Sequence, residues 1–109
     1  MSATGRALVA GYEWRQRFVS PVALFPSAAT FTAQIRRTVA DAEPLATLTT
    51  GNGGVVRVDD TTLDVIVAGA TSAGWTAGSV VFDVVRSDGT AQHLGFRVTV
   101  PVVMPVTRL

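Results

Sequence analysis

The chain has 109 residues, 48% of them hydrophobic and 16% charged, with a formal net charge of +1. That length suits one domain, taken as residues 1–109, able to bury about 65% of the surface its unfolded chain exposes. The near-neutral balance gives no basic face for nucleic acid, no run approaches the ~20 apolar residues of a membrane helix, and the lack of cysteine excludes disulfides and thiolate metal sites.

Residues 1–11 carry one arginine and a very short apolar run, which is no signal-peptide pattern, so cytoplasmic synthesis without export is expected. They read as an extended N-terminal arm. Alternation then sets in. Tyr12, Trp14 and Phe18 share one face, with Glu13, Arg15 and Arg17 on the other. Phe31, Ala33, Ile35 and Val39 likewise oppose Thr32, Gln34, Arg36 and Thr38, the signature of half-buried strands. Between these runs, Pro21 and Pro26 bracket Val22–Phe25, an edge strand or a corner crossing between sheets.

Asp41–Pro44 is a turn before a short strand at Leu45–Thr49. Gly51-Asn52-Gly53-Gly54 tolerates positive φ and predicts a hairpin opening into Val55–Val58. After a turn at Asp59-Asp60, Thr62–Ala68 places Leu63, Val65 and Val67 on one face and Asp64 on the solvent side. Gly69–Gly78 is a small-residue loop around Trp75, with room for a single helical turn. The last strands, Ser79–Arg86 and Thr90–Val100, flank Ser87-Asp88-Gly89-Thr90, the strongest hairpin signal in the chain. Pro101 and Pro105 punctuate a C-terminal arm over about 101–109, whose Val102–Met104 either closes the sheet or adds to a neighbour's edge. About seven or eight short antiparallel strands without helical periodicity predict an all-β, immunoglobulin-like sandwich, with a small closed barrel as the alternative.

Chemistry is sparse along this frame. Asp59, Asp60 and Asp64 form the one carboxylate cluster, and turn capping explains them more simply than a calcium loop. The glycine-rich turn lacks the lysine and the following helix of a phosphate loop. His93 is the single imidazole, with no residue placed to orient it, so no enzyme and no cofactor are expected. Trp14 belongs to the core. Trp75 either plugs one end of the sandwich or anchors a ligand or partner, and an exposed indole could stack on a sugar ring.

Three stretches, Phe31–Arg37, Leu63–Val100 and Pro105–Arg108, resemble the small immunoglobulin-like sandwich proteins of tailed phages, in particular the N-terminal domain of baseplate upper proteins. In that group a strand like Ala33–Arg36 precedes a run like Leu63–Ala68. A small-residue loop like Thr71–Gly78 follows, then an Asp-Gly turn like Asp88-Gly89, a glycine-bearing strand like that around Gly95, and a closing Val-Thr-Arg. The group's acidic approach to the first strand is replaced here by Phe25–Thr30. All nine basic residues are arginine, as GC-rich coding favours, and the chain is also similar to the head-spike base proteins of gene transfer agents, domesticated phage-like particles of some alphaproteobacteria. The resemblance implies a virion structural protein, assembled in the host cytoplasm into a homo-oligomeric ring, that anchors a spike or fibre protein to a capsid or baseplate. No coiled coil or receptor-binding part is expected within it. Arg6, Tyr12, Arg15, Met104 and Arg108 are the expected subunit or platform contacts. The alternative is a carbohydrate-binding module with Trp75 as its platform and a glycan as its partner.

Overall fold

Alternating burial builds the strands, and the structure, a computed structural model, describes residues 2–107. Nine strands form: β1 (Ser2–Thr4), β2 (Leu8–Val9), β3 (Trp14–Val19), β4 (Thr30–Arg36), β5 (Ala46–Thr49), β6 (Val55–Asp59), β7 (Thr62–Val67), β8 (Gly78–Ser87) and β9 (Ala91–Val103). One helical turn, α1 (Gly69–Ser72), interrupts them. No described helix is long and apolar enough to cross a membrane.

Two sheets face each other. The larger runs β1-β9-β8-β4-β5, with β2 also on β9; the smaller runs β3-β7-β6. Grouping β4, β8 and β9 against β3, β7 and β6 gives the immunoglobulin-like sandwich that the alternation predicts. The inward faces supply Phe31, Ala33 and Ile35 from β4, Leu63, Val65 and Val67 from β7, and Val80, Phe82 and Val84 from β8. Trp14 and Phe18 of β3 each meet Phe82 edge-on at 6.1 Å across the layers. Every large apolar side chain buried this way contributes about 1.5–3 kcal/mol, so the layered core outweighs any single polar contact.

The structure departs from the sequence expectations at several places. β1 and β2 are strands rather than arm, and both pair with β9 in parallel, Ser2 opposite Arg97 and Val9 opposite Val103. Buried Leu8 and the bond from Gly5 N to Thr99 O (2.8 Å) hold this segment in the sheet. β9 likewise continues through Val103, with Val102 in the core, so residues 101–103 are the last strand. The turn at Gly51–Gly54 is not a hairpin: β5 pairs with β4 and β6 with β7, so the chain crosses there between sheets. Of the two alternatives for Val22–Phe25, the corner crossing is the one found: it forms no strand, and the amides of Leu24 and Phe25 both donate to Asp60 O.

A further departure is Asp64. It points to the outer face, opposite Leu63, yet is only 3% exposed. Its register partner Arg17 on β3 covers it, donating from Nε (2.8 Å) and Nη2 (3.1 Å), and Arg15 Nη1 stands 3.6 Å away.

Candidate functional site

The N-terminal segment crosses the end of the sandwich where β3 begins. Trp14 Nε1 donates to Arg6 O (3.0 Å), Arg6 N donates to Gln16 Oε1 (2.9 Å), and Arg6 Nη2 donates to Arg15 O (2.6 Å). Gly5 is pressed into this seam, its Cα so close that a Cβ would sit 2.9 Å from Gln16 Oε1 and 3.1 Å from Val100 Cγ2. The chain then turns at Gly11, whose amide donates to buried Ser72 Oγ of α1 (3.0 Å).

After β9 the chain returns over the same end. Tyr12 donates its hydroxyl to Thr107 O (3.2 Å), and an open cleft of about 580 Å³ lies between the two segments, lined among others by Arg6, Val9, Tyr12, Glu13, Met104 and Val106. Three of its apolar residues face solvent: Tyr12 is 41% exposed, Met104 49% and Val106 95%. Solvent-facing apolar side chains clustered from both ends of a chain mark an interaction surface better than scattered ones do.

Three of the expected contact residues, Arg6, Tyr12 and Met104, therefore line one cleft. Arg15 adjoins it through the Arg6 hydrogen bond, and Arg108 lies outside the described residues. Sequence reasoning passed over Glu13; residues 106–109 were expected at subunit contacts, but nothing in the pattern brought residue 13 beside residue 106. Trp75 sits elsewhere. It is 8% exposed within the core, its amide donating to Ser72 O (2.9 Å), so the ring is a plug and a stacking platform at Trp75 does not fit this placement.

Asp59 accepts from Thr61 N (2.9 Å) and Thr61 Oγ1 (3.0 Å), bonds that hold its carboxyl below the ordinary value. Asp60 pairs with Arg57. The Asp64 carboxyl is lowered too, chiefly by the Arg17 hydrogen bonds, against the opposing pull of burial, with the charges of Arg17 and Arg15 adding to the lowering. Asp59, Asp60 and Asp64 thus point into separate contacts, and no group of three or more potential ligands gathers among the described residues. His93 Nδ1 lies 3.7 Å from Asp83 Oδ2 on the open face of the larger sheet, both side chains in solvent.

No family model and no curated protein matches the chain. Among solved structures it is similar to a "putative glycoside hydrolase" from Bacteroides vulgatus, with a TM-score of 0.51 and 13% identity. The match covers 95% of this chain and 16% of that one, so the chain spans a small fraction of that neighbour's length. At this identity the likeness is one of fold alone.

Proposed function

We propose that the protein is a non-catalytic structural component of a phage or phage-like particle, an oligomeric base or adaptor that anchors a spike or fibre. The observation that carries this reading is the terminal cleft, where Tyr12, Met104 and Val106 from opposite ends of the chain expose apolar surface beside Arg6. Aromatic, methionine and arginine side chains are the types enriched at protein interfaces, and a rigid sandwich holds them in place. The resemblance to virion sandwiches supplies the particle context. Glycan binding has less support, since its indole platform is packed inside the core.

Size-exclusion chromatography with light scattering tests the assembly. The expected species is a discrete trimer, pentamer or hexamer, and ending the chain after Val103 should reduce it to monomer while the fold persists, because β9 stays whole. The Tyr12→Asp variant should act in the same direction. A wild-type chain that is monomeric alone, and still monomeric with the other particle proteins present, would refute the reading.

A further inference from the structure

The seam between the sheets is closed along only half of β3. The N-terminal segment covers the Trp14–Gln16 half, through the contacts of Gly5 and Arg6. Along the Arg17–Val19 half, beside the Phe18–Phe96 ring contact (5.8 Å), lies an open apolar hollow of about 340 Å³, lined among others by Phe18, Val19, Leu24, Leu94 and Phe96. Val19 and Val22 beside it are 70% and 59% exposed.

The backbone at this place is unpaired in a defined sense. Ser20 N donates to Thr61 O (2.8 Å), one step beyond the Val19–Thr62 pair, so the even-numbered residues of β3 direct their amides and carbonyls at β7. Arg15, Arg17 and Val19 direct theirs outward, and the Arg6 guanidinium bonded to Arg15 O confirms that direction. β3 has no proline and no bulge, the usual devices that blunt an edge.

Charge selects the occupant. The outer face carries Arg15 and Arg17, 54% and 58% exposed at their side chains, against the single carboxylate of Asp64, with Asp59 only a weak further influence on Arg17. A second copy pairing antiparallel about residue 16 or 17 of this edge would set arginine against arginine, which is destabilising. An added strand with acidic side chains outward would extend the ladder, and its inward side chains would enter the hollow.

We propose that the Arg17–Val19 edge of β3 binds an extended segment of a partner protein in which acidic and apolar residues alternate, by strand addition. This surface lies toward the opposite end of β3 from the terminal cleft, sharing only Arg15 with its margin, and does not depend on the assembly reading. The test uses the full chain and a capped octapeptide alternating glutamate with leucine, compared with its lysine-for-glutamate counterpart. The glutamate peptide should bind about tenfold more tightly at low salt and lose that advantage as salt rises. Amide resonances of Arg17, Val19 and Ser20 should shift on titration. The Val19→Pro variant removes an outward amide without touching the β3–β7 ladder, and should lower affinity about tenfold with the fold kept. Should that variant unfold, Arg15→Gln should instead weaken the glutamate peptide alone. Equal binding of both peptides, absence of saturable binding, shifts confined to the terminal cleft, or full affinity in a folded variant would each overturn the proposal.

Discussion

Replacing Gly54 with alanine tests whether the crossing between sheets is fixed by close contact. A methyl there would stand 2.6 Å from Leu48 Cβ and 2.9 Å from Leu48 Cα. Carbons rest about 3.5–4.0 Å apart, so the two must separate by about 1 Å. Neither side yields easily. Leu48 is 6% exposed and paired with Ala33 across β4 and β5. Gly54 donates to Asn52 Oδ1 (3.0 Å) and accepts from Ile66 N (2.8 Å). Overpacking of this kind costs about 2–3 kcal/mol, which lowers Tm by roughly 8–20 °C in a domain of this size. Gly53 next door is the control: its φ is +79° and nothing lies within 4 Å of a Cβ, so Gly53→Ala carries backbone strain alone. That strain costs about 1–2 kcal/mol. Thermal and urea unfolding followed by circular dichroism give both numbers. Gly54→Ala within about 0.5 kcal/mol of wild type, or milder than Gly53→Ala, would refute the steric argument.

Two further expectations concern acid stability and the core. The Asp64 carboxyl is held below its ordinary value of 3.8, so its stabilising effect is complete above that value and is lost as pH falls through the lower folded-state value. Asp64→Asn should therefore lower Tm at neutral pH and flatten the acid limb of Tm against pH, leaving the part due to Asp59; an unchanged acid limb would show that the Arg17 pair does not matter for folding. Trp75→Ala should cost about 3–5 kcal/mol as a core truncation. A near-wild-type urea midpoint in that variant would place the indole outside the core.

What the sequence made legible was local. Ser87–Thr90 announced the β8–β9 hairpin, which the Ser87–Ala91 pair closes, and alternation assigned Phe31, Ala33, Ile35, Leu63, Val65 and Val67 to the core. What it hid was long-range. A glycine-rich turn has the same chemistry whether it reverses a hairpin or crosses between sheets, so Gly51–Gly54 was ambiguous by nature. Alternation says which face Asp64 occupies but not that Arg17, 47 residues earlier, covers it. It also overran β4, where the strand ends at Arg36 and Val39 is 61% exposed in the following turn. β1 and β2 have too few residues to show a period, and they are strands only because β9 pairs with them. The cleft was half visible: Tyr12 and Met104 stood out as apolar residues near the ends, while their meeting depends on the whole fold.

The parallel pairing of β1 and β2 with β9 bears on mechanical load. Tension between Ser2 and Val103 would drag the two strands past each other along their length, Ser2 backward and Val103 forward. The bonds from Gly5 N to Thr99 O and from Ala10 N to Val103 O would then be loaded together with the rest of the ladder, in shear, rather than opened one by one as in a zipper. Such a clamp yields only when many bonds fail at once, which makes the direction joining Ser2 and Val103 one along which this small sandwich resists being pulled apart.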